Sequence, residues 1–559
     1  MHRKGTTDDA SSDRSPRADR GGRWSYLIVP LLALCPWLAS CGEQPAPSRP
    51  NVVLISLDTL RADRLSCYGN SHQTSPAIDQ LAEQGVLFEH AISTSSWTLP
   101  AHISMLTGLP VSAHGVCTAN PKAISSSHRG EFVSEDLSQM GYATAGFFTC
   151  LFLESNFGFG GGFDTWEHAS SNTERARDLR RRWIEANQVD DQEELSRVKA
   201  EYKKPDFGAP EAEECVTRAL AWLDEQRERE PDRPFFLFVH LFDIHDPYRP
   251  PAPFDTVFDP DYQGDIRVGT ILGPDATLRR KMDPREFEHI VALYDGEIAW
   301  VDSQVARVLE HLKQLGVEGN TVVALTSDHG EELLDHGRRG HHNTLYRECV
   351  HVPLIMRFPD VLPAGVRLRS TVSIIDIVPT LLALVGAPAE NRLPGRDLSQ
   401  LLQGQNEDPE RIVVSELLIN NRASPRWMVS LYQGDEHFII EQVGTPEASA
   451  RRYNLNINPL ERGVGEAILW DSEEGRELGH ELSQVRANAR ALRVGLGRRT
   501  AASASSLHDQ DLEQLNALGY SGVGVEPDNI EATHLCMDGC VWRADAPESK
   551  PKKSPALVK

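Results

Sequence analysis

Three predominantly apolar runs stand out along the chain: Asn51 to Asp58, Pro234 to Phe242 and Asn320 to Ser327. Runs of this length, rich in β-branched or aromatic residues, predict strands buried on both faces, as in parallel sheets. Val86 to Ile92, Ala143 to Thr149 and His351 to Phe358 predict further strands. Between them the spacing turns helical. Ser75-Pro76 to Gly85 reads as a helix with a proline start and a glycine stop, and Glu131 to Met140 is amphipathic. Glu286 to Leu315 carries Tyr294, Ile298, Val301 and Val305 on one stripe and ends at Gly316, and Thr371 to Val385 reads as a strand–helix pair. Strands alternating with helices predict a doubly wound, mostly parallel α/β sheet flanked by helices over residues 51–390. Residues 170–230 are highly charged, with helical patches such as Cys215 to Arg227, and read as an insertion over that core. Beyond 390 the short strands Arg411 to Glu416, Trp427 to Leu431 and His437 to Glu441 predict a smaller antiparallel α+β subdomain over 391–500, with a helix at Arg476 to Arg493. Residues 501–559 read as a helical segment and a loose tail.

Polar residues cluster where the apolar runs stop. Asp58 ends the first, Asp243-Ile-His245-Asp246 follows the second, and Asp328-His329-Gly330-Glu331 follows the third. Open α/β sheets bind ligands at this carboxyl edge. A carboxylate and an imidazole side by side suit a metal ion. Ser96 to Gly108 adds a hydroxyl. Pro100 disfavours the α region at Leu99, so the helix is expected to open at Pro100, with Thr98 before it where the free N–H groups point. His336, His341 and His342 follow the Asp-His pair. Each has a plain alternative: a capped helix, an Asp closing a turn, a satisfied core histidine.

Composition narrows the partners. A net charge of −24 over 559 residues leaves no basic groove for nucleic acid, and 40% hydrophobic with 25% charged residues is ordinary for a globular chain. The N-terminus reads as a processed segment. Arginine-bearing residues 1–23 precede an apolar run, Leu27 to Ala39, broken by Pro30 and Pro36 and too short to span a bilayer stably. Leu38-Ala39-Ser40-Cys41-Gly42 looks like a bacterial lipobox, which makes 1–41 a lipoprotein signal, Cys41 the lipidated residue and 42–50 a Pro-rich tether. The expectation is an exported protein, lipid-anchored in the cell envelope on the periplasmic or outer-membrane side. Cys536 and Cys540 are close enough for a local disulfide, and the other cysteines show no metal-ligand spacing.

Taken together, Asn51 to Gly69, Ser75 to Phe88, Thr98 to Gly108, Phe235 to Pro250, Tyr294 to Val305, Ser327 to Pro353 and Ile375 to Gly386 resemble the sulfatase family of the alkaline phosphatase superfamily. Leu469-Trp470-Asp471 with Glu477-Leu478 resembles that family's C-terminal subdomain. The resemblance implies an ester hydrolase holding a divalent cation through Asp58, Asp328 and His329, with the nucleophile as a further ligand. It departs from the family at one place. The signature C-x-P-x-R, whose Cys or Ser becomes formylglycine, reads here Thr98, Pro100 and His102. A threonine carries a methyl on Cβ and cannot become that aldehyde, so no formylglycine is expected. Thr59 replaces the acidic residue usual after Asp58, which weakens a calcium site. Thr98 as nucleophile resembles the phosphoryl-transferring members, which use manganese or zinc. His245 and His341 are then expected to act in catalysis, and His102 and His342 to touch substrate. Phosphoester chemistry is favoured on residue chemistry. A true sulfuric ester hydrolase and an inert lipoprotein binding an anionic glycan are the alternatives. The expected substrate is an anionic ester: a sulfated or phosphorylated glycan, lipid or small molecule.

Overall fold

The computed structural model describes residues 49–117, 132–169, 211–266, 283–388, 393–402, 408, 410–419, 426–443, 445 and 448–496, with Arg182, Glu194 and Arg197 besides. The chain divides into units 1–47 and 48–559, and the described residues lie in the second. The signal segment, Cys41, the 501–559 tail, Cys536 and Cys540 fall outside them, as does most of 170–210. Among the described residues no helix is long and apolar enough to cross a membrane.

The main sheet is built from β1 (Asn51–Leu57), β2 (Val86–Ile92), β3 (Ala143–Phe148), β4 (Thr165–His168), β5 (Phe235–Leu241) and β6 (Thr321–Ser327). After a short ribbon of β7 (Glu332–Leu333) and β8 (Arg339–Gly340) come β9 (His351–Arg357) and β10 (Val366–Ser373). The order is β10-β2-β9-β6-β1-β5-β3-β4, all parallel except β9, which runs against both β2 and β6. The apolar runs owe their continuity to period two. Val52, Leu54, Phe236 and Phe238 enter one core, while Val53, Ile55, Phe235 and Leu237 enter the core on the opposite face.

Helices α1 (Pro76–Glu83), α4 (Ala212–Arg229) and α5 (Pro284–Gln314) cover the second face. Helices α2 (Thr98–Thr107), α3 (Val133–Gln139) and α6 (Ile377–Leu384) cover the first. Helix α4 changes the reading of the charged stretch. Its Cys215, Val216, Ala219 and Leu223 are fully buried, so the end of 170–230 is a crossover helix leading into β5 rather than part of an insertion.

A second, five-stranded antiparallel sheet runs Ile412–Ile419, Arg426–Gln433, Glu436–Glu441, Ser449–Asn454 and Glu466–Ile468 in chain order. One of its faces (Val413, Leu417, Met428, Tyr432) shares a core with the main sheet. The other (Leu431, Ile440, Ala450) packs on Leu478 and Leu482 of α7 (Glu473–Leu496). The fold class read from the sequence is the one observed. The last two small strands and β4 went unread, because strands of three to six residues with half-exposed polar positions carry little periodic signal.

Register sets the carboxyl edge. Leu57 pairs with Leu241 of β5 and with Ser327 of β6, so three neighbouring strands end level. Asp58 N–H still donates to Leu241 O at 3.0 Å, and Asp328 follows Ser327 directly. Helix α2 opens two residues earlier than expected, at Thr98, with Pro100 inside its first turn. A proline there sacrifices no intrahelical bond, because first-turn N–H groups have no helical acceptor. All ten of its residues are buried, so packing on every side overrides the bias against helix at Leu99.

Candidate metal centre and nucleophile

The level strand ends put Asp58, Asp328 and His329 together. One ligand atom of each lies within 4.8 Å of the others, and all three residues are buried; among the described residues this is the one cluster with metal-ligand spacing. Asp328 Oδ1 accepts from His329 N at 2.9 Å and Thr59 N at 3.3 Å, while Asp328 Oδ2 has no hydrogen-bond partner. The Thr59 contact needs a tight turn, and Thr59 sits at φ 54°, rare for a β-branched residue. Asp58 repeats the division: Oδ2 meets His240 Nε2 at 3.2 Å, and Oδ1 is orphaned. His329 Nδ1 donates to Gly330 O at 2.9 Å, which turns the Nε2 lone pair toward the carboxylates. Two buried carboxylate oxygens without donors beside an imidazole lone pair fit a divalent cation, and an O,O,N set suits manganese or zinc.

Gly330 makes this turn possible. A Cβ there would lie 2.0 Å from Glu348 O. Thr98, the first residue of α2, points its Oγ1 into the same place, 3.3 Å from His329 Nε2 and 3.5 Å from Asp58 Oδ2.

Burial raises the Asp58 carboxyl to about 7, with His329 pulling the other way. Burial alone would lower His329, but Asp328 and Asp58 outweigh it and raise its imidazole. Next to this set, the His341 ring lies tilted against His329 at 4.6 Å and edge-on to His245 at 4.9 Å, centroid to centroid. Burial and neighbouring histidines hold both His245 and His341 well below the usual range, so both are neutral. His341 Nδ1 lies 2.9 Å from Glu331 Oε1, and Tyr248 Oη donates to Glu331 Oε2 at 3.2 Å. Burial lifts Glu331 to about 8.

Two expectations change. His102 does not line a substrate cavity: Nδ1 donates to Thr98 O at 2.9 Å, Nε2 meets Ser56 Oγ at 2.9 Å, and burial drops it to about 3. It sits beneath the nucleophile. His342 takes φ 62° and packs its ring on Trp97 at 4.9 Å, so of the two adjacent histidines it is His341 that turns toward His329. Asp243, which precedes His245, is engaged elsewhere: its Oδ1 accepts from Ala212 N and Trp300 Nε1, fixing α4 to α5. The sequence reading gave no role to His240, Glu331 or Tyr248. Period two held the signal for His240, which shares the face of Phe236 and Phe238 toward α2.

A sulfatase family profile matches residues 50–387. The chain belongs to the sulfatase family. An arylsulfatase of Clostridium perfringens is 26% identical over 396 residues, covering 64% of this chain and 79% of that protein. The N-acetylglucosamine-6-O-sulfatase of Bacteroides thetaiotaomicron is 23% identical over 465 residues, covering 69% of this chain and 76% of that protein. Among solved structures, a phosphonate monoester hydrolase of Agrobacterium radiobacter superposes with a TM-score of 0.60 at 22% identity, covering 79% of this chain and 96% of its own. The protein is therefore a sulfatase-family ester hydrolase of alkaline phosphatase superfamily fold, and sulfatase-family enzymes use a divalent metal.

Proposed function

We propose that this sulfatase-family enzyme hydrolyses or transfers a phosphoric ester, with an unmodified Thr98 as the nucleophile. The observation that carries this reading is the seat of Thr98 Oγ1 against His329 Nε2 and Asp58 Oδ2, on a residue that cannot become an aldehyde. A divalent cation held by Asp58, Asp328, His329 and Thr98 would supply Lewis acidity, lowering the hydroxyl pKa and offsetting charge on the ester's non-bridging oxygens. The Thr98 proton leaves toward Asp58 Oδ2, which lies 3.5 Å from the hydroxyl. Thr98 Oγ1 attacks phosphorus, and the bond to the ester oxygen breaks in line with the attack. The leaving oxygen takes its proton from solvent, and neutral His245 and His341 are the groups placed to hydrogen-bond it and then to take a proton from the water that cleaves the Thr98 ester. His102 holds the Thr98 carbonyl and so fixes the pitch of the helix start.

The printed names of the curated relatives favour a second reading, sulfate-ester hydrolysis by the same Thr98. That route lacks the hemiacetal collapse a formylglycine hydrate allows, and a sulfuryl group places less charge on its equatorial oxygens for a cation to offset. The test is a side-by-side assay on aryl sulfate, phosphate monoester and phosphate diester, in the parent and Thr98→Ala. Phosphoester turnover exceeding sulfate turnover, and falling by roughly two or more orders of magnitude in Thr98→Ala, is expected. Turnover of sulfate alone overturns the proposal.

The natural substrate is proposed to be an anionic ester on a glycan, lipid or small molecule outside the cytoplasm, reached by an enzyme lipidated at Cys41. Cys41→Ala is expected to leave the membrane fraction or to remain unprocessed, and unchanged attachment contradicts the anchor.

A further inference from the structure

His240 is the one residue of β5 whose presence the core does not explain. It is fully buried between Phe238-side packing and the start of α2, its ring edge-on to His102 at 4.8 Å. Every other member of Phe235–Leu241 is apolar. Its Nε2 lies 3.2 Å from Asp58 Oδ2, while its Nδ1 has no hydrogen-bond partner. A buried nitrogen left unpaired is costly, and a leucine of similar volume would avoid that cost. His102 next to it differs, because both of its nitrogens are engaged.

The compensation lies at Asp58. A carboxylate acceptor requires the proton on His240 Nε2, and that donor occupies Oδ2 alone, leaving Oδ1 bare on the side of Asp328 and His329. Asp328 is divided in the same way by backbone donors, His329 N and Thr59 N. Asp58 receives no such backbone pair, and its Thr98 contact is long at 3.5 Å. We propose that His240 is a positioning residue for the cation: by clamping Asp58 Oδ2 it fixes the carboxylate as a one-oxygen ligand and sets the affinity of the site. Donors behind a liganding group commonly raise metal affinity 10–100-fold. The inference rests on the Asp58–Asp328–His329 assignment and is independent of whether the ester is phosphoric or sulfuric.

The experiment compares the parent with His240→Leu, His240→Gln and His240→Asn. Each full-length protein is stripped of metal, melted by circular dichroism, and titrated with Mn2+ alone by calorimetry. A glutamine amide nitrogen reaches the place of Nε2, whereas that of asparagine ends near Nδ1, short of Asp58. The expected result is Mn2+ binding weakened about 10–100-fold in His240→Leu and His240→Asn, and restored to within a few-fold of the parent in His240→Gln. If the leucine variant does not fold, the Gln–Asn contrast decides. Equal affinity in all folded variants, or His240→Gln as weak as His240→Asn, overturns the proposal. A parent that takes up no Mn2+ overturns it together with the metal assignment, while the ester assay separately judges the chemistry.

Discussion

At Asp58 and Asp328 a single oxygen decides what the residue is for. One oxygen of each is spent on donors that fix the side chain, and the other is buried without any. Removing Asp328 takes away a ligand and releases the N–H groups of Thr59 and His329. Asp328→Ala is therefore expected to lose bound metal to below stoichiometric detection by elemental analysis, while its far-ultraviolet spectrum stays that of the parent. Metal content equal to the parent places the site elsewhere. Asp58, Asp328 and His329 were legible in the sequence because they sit where apolar runs stop, and parallel strands that end level must bring such residues together; Thr98 was legible from the helix start that Pro100 marks. His240 was not. An imidazole inside an apolar run looks like a strand residue until the partner strand's register is known. Glu331 was in view within Asp-His-Gly-Glu, but its pairing with His341 depends on the ribbon of β7 and β8, whose two-residue strands leave no periodic trace.

Among the elements, the turn after β6 and the start of α2 do most to shape the site. Gly330 lets the chain pass Glu348 O with no side chain between them. An alanine there must move the turn, at a cost of about 1–3 kcal/mol, and carries His329 and Glu331 with it. Gly330→Ala is expected to shift the urea midpoint down by that amount and to weaken Mn2+ binding. A variant of parental stability and affinity would show that the turn is soft. The start of α2 shows where local rules yield. The pre-proline bias argued for a helix opening at Pro100, yet burial of all ten residues carries it to Thr98. That shift puts the hydroxyl on the first turn itself. The charged stretch before β5 misled for the opposite reason: α4 is polar on its outer face, and its narrow apolar stripe of Cys215, Ala219 and Leu223 was outweighed by its charges.

For the whole molecule, the joint between the two sheets is pH-sensitive. His336 Nδ1 donates to Glu348 Oε1 at 2.7 Å and Nε2 to Glu461 O at 2.7 Å, so the ring is held as an imidazolium. Burial alone would lower it, but the Glu348 hydrogen bond and charge prevail and raise it to about 9. A folded-state pKa above the usual 6.5 means this stabilisation is fully present below about pH 6.5 and lost as pH rises through about 9. His336→Gln should thus be less stable than the parent at pH 6, by about 1–3 kcal/mol for a charge-assisted bond, and the gap in urea melts should close by about pH 10. A gap that widens with pH contradicts the assignment. The division into a large α/β core and a smaller antiparallel sheet was legible from the change of period near residue 390; their shared core was not, since it depends on which face of the second sheet turns inward. The central claim remains that Thr98 itself takes the transferred group. Rapid-quench mass spectrometry of the peptide from Ser96 to Met105 during turnover of a phosphate ester measures this directly. The account predicts an otherwise unmodified peptide carrying a phosphoryl group on Thr98; a modified Thr98 in the resting protein, or ester turnover that survives in Thr98→Ala, would contradict it.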